Sequence, residues 1–344
     1  LCNLCFVIYG LFVIWCLVLG IFMVGCAPKK ETGKPTIIVW HWMTDRQNAF
    51  FELSKRYEAK TSVKVNFELY APSDAYTQKV RAAAQGGNLP DLFGILGEKR
   101  DFASFIKAGH ILDLTPYMDR LAGEWRNRFF SKALAVNEFT VNNTYGITAG
   151  IYGVPIDIMT IQMLYNKDLF KKLGLDPNRP PQQWQEFLNI GKKIKEQGLQ
   201  GMVSGWAELW MMDCFANNYA FNIMGGDKVL ATIKGEVSYT DPDWIRVLDL
   251  FRQMQEAGVL YNGIVTTINK TAEQLFANER AVFAFNGSWC VNVYRGMNPN
   301  LNYAAMLPPK VSDKYPMAIW GGAGSSFTVS YTHLRAPRQA EISY

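Results

Sequence analysis

The sequence predicts an α/β protein of two lobes, and three observations carry that expectation. Strand-like and helix-like segments alternate through residues 36–108 with connections of a few residues, the pattern of a mostly parallel, doubly wound sheet. A chain of 344 residues with 49% apolar and 14% aromatic content can bury more than one lobe's core. Residues 151–170 then set two apolar runs, 153–159 and 161–165, end to end with almost no turn chemistry, and a Lys-Asp helix start follows. Such a stretch suits a crossover between lobes.

In order, residues 36–42 (TIIVWHW) form a β-branched run typical of a buried strand. Thr44 is placed to cap the next helix, with Phe50, Leu53 and Tyr57 on its inner face. Residues 63–70 alternate strictly, Val63, Val65, Phe67 and Leu69 against Lys64, Asn66 and Glu68, which is a strand. Ser73 caps a helix carrying Tyr76, Val80 and Ala83, stopped by Gly86-Gly87. A short strand at 90–96 and a helix at 100–108 complete this half. Asp157 falls within the apolar run of the crossover. A buried acid needs a partner, either inside the protein or in a ligand.

Beyond the crossover, Pro181 opens a helix with Trp184, Leu188, Gly191 and Ile194 on one face. A brief strand at 201–204 precedes Trp206 and Trp210, four residues apart as on one helix. Asp241-Pro242 is a strong helix start, and Val247, Leu248, Phe251 and Met254 should point inward. Thr271 and Gln274 have capping-box spacing. Strands at 281–289 and 302–307 follow, the first ending in a polar Asn-Gly-Ser turn.

Charge and cysteine usage exclude several classes. The net charge of +5 is spread thinly, with no basic stripe for nucleic acid. Four of the six cysteines lie at or before Cys26; Cys214 and Cys290 are far apart with no CxxC partner or nearby His, so no metal site is expected. They read as buried thiols, with a disulfide between them the alternative that the sequence leaves open. The Gly-rich 321–324 lacks dinucleotide-fingerprint spacing, so no cofactor is expected. Three N-x-S/T matches stand at Asn142, Asn269 and Asn286, a pattern that would matter in a eukaryotic secreted protein.

The N-terminal segment 6–24 carries no charge, and Met23-Val24-Gly25-Cys26 then gives way to a polar, Pro-containing linker. This resembles the bacterial lipobox, with Met23 in place of the usual Leu. The resemblance implies a signal peptide over 1–25, a lipid on Cys26 and a linker to residue 35, with a second acyl chain for stable attachment. An uncleaved membrane anchor is the alternative that the segment's length leaves open.

Motifs spread over 36–330 resemble the type II extracellular solute-binding proteins of ABC importers, in particular the carbohydrate-binding group that includes maltose-binding protein. They are the first strand with its Trp, GGNLPDLF, GHILDLTPYM, YGVPIDIMTIQMLYNKDLFKKLGLD, PPQQWQEFLNIGKKI, ERAVFAFNGSW, YAAMLPP and WGGAG, in that order. The resemblance implies an N-lobe over 36–155 with 323–330 returning to it, and a C-lobe over 156–322. It also implies a sugar in the cleft, hinge closure, and delivery to the transmembrane subunits of a permease by a monomer on the outer face of a bacterial cytoplasmic membrane. By position, Trp40 and Trp42 would stand at the rim after the first strand, Glu98 and Arg100 after the third, and Asp157 and Met159 at the crossover. Trp206 and Trp210 would belong to the second lobe, Trp289 to its NGS turn, and Trp320 with Gly321 and Gly322 to the second crossing. A pyranose suits such a set, since its C–H faces stack on aromatic plates and its hydroxyls meet carboxylates, Arg or Asn. His41 is expected to be packed or solvated.

Residues 331–344 show no helical periodicity where the family continues with further helices, which reads as a truncated chain with an unrelated tail. Two other functions stay open. Glu98, Asp157, Glu208 and Asp213 could supply the paired carboxylates of a glycoside hydrolase, although no catalytic motif fixes a pair. A surface glycan-binding or adhesion lipoprotein would use the same fold without a transporter.

Overall fold

A computed structural model describes residues 35–95 and 99–331 of the protein. The first sheet starts with β1 (Thr36–His41) and β2 (Lys64–Leu69), which run parallel with Thr36 opposite Lys64 and His41 opposite Leu69. Helix α1 (Gln47–Thr61) joins them, and α2 (Ser73–Gln85) leads on to β3 (Leu92–Ile95), parallel to β1 on its other side. After α3 (Lys99–Lys107) the chain makes short helical turns and a small hairpin before reaching β4 (Val154–Pro155).

The chain then enters a second sheet through β5 (Met159–Asn166). Asn166 caps α4 (Lys167–Lys172), its side chain accepting the N–H groups of Asp168 and Leu169. Next come α5 (Trp184–Glu196), β6 (Met202–Val203), α6 (Leu209–Met224), α7 (Pro242–Ala257) and α8 (Asn269–Ala277). Strand β7 (Phe283–Gly287), α9 (Cys290–Met297), β8 (Tyr303–Met306) and β9 (Trp320–Gly322) finish this part, and β10 (Ser326–Val329) rejoins the first sheet. The sheets are ordered β2-β1-β3-β10-β4 and β8-β5-β7-β6, with β9 pairing antiparallel to β5. The chain therefore crosses between the lobes twice, at 156–158 and at 323–325.

Each lobe has its own core. Tyr76, Leu89, Phe93, Phe102 and Phe139 fill the first; Phe187, Met202, Phe215, Val247 and Phe285 fill the larger second. Gly191 lets α5 approach Val259, since a Cβ there would stand 2.5 Å from that side chain. Cys214 and Cys290 are both free and buried, and burial pushes each thiol up to about 12.

Several local expectations are corrected. Leu53, Tyr57 and Leu248 face outward at 55%, 46% and 56% exposure, and Leu250 replaces Leu248 in the core. Thr44 opens a short 3₁₀ turn and caps nothing; α5 starts at Trp184, under a Gln183–Glu186 capping box, instead of at Pro181. Helix α8 begins at Asn269, which moves Thr271 into the first turn. Ser73 is the first residue of α2, and its hydroxyl has a distant partner in place of the cap.

Candidate functional site

The carboxyl ends of β1 and β3 in one lobe and of β6 and β7 in the other carry the candidate residues, the location at which open α/β sheets present ligand sites. Trp42 follows β1 and lies flat on β3. A Cβ on Gly94 would stand 2.4 Å from its ring, so only glycine leaves room for the plate. Tyr76 packs against the same indole, with ring centroids 5.2 Å apart. Trp289 repeats the device in the second lobe. Its ring folds back over Gly287, where a Cβ would stand 1.8 Å from it.

Two carboxylates hold the second lobe's tryptophans by their indole N–H groups. Trp289 Nε1 donates to Glu273 at 3.1 Å, and Trp210 Nε1 donates to Glu208 at 3.2 Å. Asn269 joins the two acids, its backbone N–H donating to Glu208 at 2.9 Å and its side-chain amide to Glu273 at 3.2 Å. Asn286 adds a longer bond to Glu273. The Trp210 and Trp289 rings end up 6.0 Å apart, inclined at 50°. Glu273 is 5% exposed, and burial raises its carboxyl above the ordinary carboxylate value. Like charge on Asp45, from the first lobe, adds to that; hydrogen bonds from Asn286 and Trp289 and the Lys270 ammonium oppose it.

The crossings have a centre of their own. Asp157 pairs with the Arg46 guanidinium through one oxygen, and the other accepts the backbone N–H groups of Gly324 and Ser325 at 3.1 and 2.7 Å. One carboxylate thus ties the segment after β1 to both crossings. Asp157 lies between β4 and β5, outside any strand, and its partners are inside the protein. Met159 opens β5 opposite Gly322, and its sulfur lies where a Cβ on Gly324 would come within 2.4 Å.

The remaining expected residues divide. Trp40 is half-buried within its lobe, edge-on to Tyr70 at 5.3 Å with the Lys79 ammonium 4.4 Å from the ring centroid. Trp206, at 2% exposure, packs between Phe215 and Phe251 and offers no face to a ligand. Arg100 is exposed on the first turn of α3. Trp320 is 37% exposed, its backbone N–H held by Asn218, and Gly321 and Gly322 pair with Thr160 and Met159. Glu98 and Cys26 lie outside the described residues, as does the tail apart from Tyr331. His41 is packed at 1% exposure against Phe50 and Phe67.

Sequence reasoning missed Glu273, Asn269, Arg46 and the reach of Ser73. One signal was available. Glu273 sits beside Ala272 and three or four residues before Phe276 and Ala277, on the buried face of a short helix, where an acid needs donors.

Two α/β lobes joined by paired crossings, with indole plates set by carboxylates at the strand ends, define a ligand-binding protein. Residues 52–341 match the family model described as bacterial extracellular solute-binding protein, and the chain belongs to that family. It is similar to the multiple sugar-binding protein of Streptococcus mutans, 23% identical over 327 residues, covering 90% of this chain and 70% of that protein. Among solved structures it resembles one described for xylan utilization by Caldanaerobius polysaccharolyticus, with TM-score 0.74, 19% identity, and 86% and 74% of the two chains covered. A second is an ABC transporter solute-binding protein of Thermotoga lettingae bound with α-D-tagatose, with TM-score 0.72, 18% identity, and 87% and 73% covered. At these identities the structural likeness establishes the fold.

Proposed function

We propose that this protein is the capture component of an ABC importer and that it holds a sugar or oligosaccharide between its lobes for delivery to a membrane permease. The observation that carries this reading is the pair of inclined indoles, Trp210 and Trp289, each fixed by its N–H to a carboxylate. Stacking against a sugar's C–H face needs a rigid aromatic plate, and a plate whose N–H is already satisfied presents its apolar face without cost. Trp42 supplies a third plate from the other lobe, and Trp320 with Gly321 and Gly322 lines the second crossing. The sugar-binding relative supports the carbohydrate class.

The carboxylates favour a binder over a hydrolase. Glu208 and Glu273 each accept several N–H bonds, which leaves neither placed as a free acid or base. Lipidation at Cys26 would hold the protein, as a monomer, at the outer membrane face; Cys26→Ala should abolish incorporation of labelled fatty acid into the chain. A thermal-shift screen against mono- and oligosaccharides tests the main reading, because a ligand that binds the folded state raises the transition by mass action. Sugars raising it, with no product after long incubation, is the expected outcome. A shift with a peptide, polyamine or phosphate ester and with no sugar would overturn it.

A further inference from the structure

Glu208 does more than hold an indole. It immediately precedes α6 in the second lobe, is 9% exposed, and its two oxygens accept three hydrogen bonds. Oε1 takes the Asn269 backbone N–H at 2.9 Å. Oε2 takes the Trp210 indole N–H at 3.2 Å and also the Ser73 hydroxyl at 3.0 Å. Ser73 begins α2 in the first lobe, so this last bond crosses between the lobes at a distance from the two chain crossings. The same oxygen therefore touches the opposite lobe and the aromatic plate.

We infer that Glu208 is a positioning residue that links lobe closure to the orientation of Trp210. When the lobes part, the Ser73 bond is the one of the three that must break, since Asn269 and Trp210 travel with Glu208. In the closed arrangement Ser73 holds the carboxylate in one rotamer. That rotamer fixes the indole plane against Trp289, and Asn269 passes the constraint on to Glu273, which holds Trp289 in turn. A ligand that stacks on the two plates stabilises the rotamer, and the rotamer stabilises closure; by linkage, closure strengthens ligand binding by the same factor. The inference rests on the cleft being the ligand site, and it adds the residues that tell the site the lobes have closed.

The test compares the full chain with Ser73→Ala and Ser73→Thr, the latter keeping the hydroxyl. Small-angle X-ray scattering without ligand should give a larger radius of gyration for Ser73→Ala and a wild-type value for Ser73→Thr, at equal unfolding midpoints. An unchanged radius in Ser73→Ala overturns the inference. This arm uses no ligand, so it fails or succeeds independently of the sugar reading. With raffinose as the calorimetric probe, Ser73→Ala should weaken binding by about three- to tenfold and Ser73→Thr restore it. The Ser73→Ala, Glu208→Ala double variant should bind no more weakly than Glu208→Ala alone, because the serine acts through the glutamate. Losses that add independently would overturn the coupling.

Discussion

Replacing Asp157 by alanine should destabilise the fold by about 2–4 kcal/mol. The carboxylate accepts from the Arg46 guanidinium and from the N–H groups of Gly324 and Ser325, and the two ionic side chains are only 15% and 22% exposed. Hydrogen bonds to a charged group contribute about 1.5–3 kcal/mol each. Breaking one side of a fully buried pair costs about 3–5 kcal/mol, whereas an exposed pair contributes about 0–1 kcal/mol. The partial exposure here lets water reach Arg46 once its partner is gone, which sets the loss between those limits. Asp157→Asn keeps an oxygen for the two N–H groups but leaves the Arg46 guanidinium without its counter-charge, so about half the loss is expected. Urea unfolding followed by tryptophan fluorescence at neutral pH measures both. If Asp157→Ala stayed within about 0.5 kcal/mol of the wild type while sugar affinity fell tenfold or more, the carboxylate would belong to the ligand and the internal pairing would carry no weight.

Trp289→Ala should reduce sugar affinity by about 10- to 100-fold, the equivalent of about 1.5–3 kcal/mol for a buried aromatic contact, with titration calorimetry as the measurement. Gly287→Ala would put a methyl 1.8 Å from the Trp289 ring; overpacking of this kind costs about 1–3 kcal/mol. The plate should lift, with a changed near-UV circular dichroism and weaker binding, while Gly296→Ala, which meets nothing within 4 Å, should change neither. Stability should fall as pH drops from about 6.5 towards 4. Burial, with Arg46 adding, lowers His41 from 6.5 to about 4. The native state therefore holds it neutral while the unfolded chain takes up a proton. Stability from this group is complete above 6.5, declines through that window, and levels off below about 4, by about 3 kcal/mol in all. His41→Leu should flatten that part of the urea-midpoint profile.

The parts of the fold legible in the sequence were those fixed by local pattern. The strict alternation of 63–70 gave β2, and Asp241-Pro242 gave the start of α7, where Asp241 does accept the N–H of Asp243. What escaped was decided by partners far away in the chain. The apolar run around Asp157 implies that the acid needs a partner, but no local pattern shows that Arg46, 111 residues earlier, supplies it. Ser73 has the chemistry of a helix cap, yet its hydroxyl finds a carboxylate 135 residues on. In both cases a charged partner far along the chain, the Arg46 donor for Asp157 and the Glu208 acceptor for Ser73, won over the ligand or local role that the sequence offered.

Trp206 and Trp210 show why spacing alone could not assign the cleft. Four residues apart on one helix they would share a face, and both would be core or both would be site. Helix α6 begins at Leu209, so Trp206 lies in the turn before it and the two side chains part. Trp206 enters the core beside Phe215 at 2% exposure, and Trp210 stays at the strand ends with 37% of its surface open. The turn bends there because Glu208 draws in the Asn269 N–H and the Ala207 N–H bonds the Thr267 carbonyl, which ties 207–208 to the segment that opens α8. The residue that separates a core tryptophan from a site tryptophan is thus the same acid that holds the second of them. An acid between two tryptophans, where the chain turns from strand to helix, is the sequence feature that would have pointed to it.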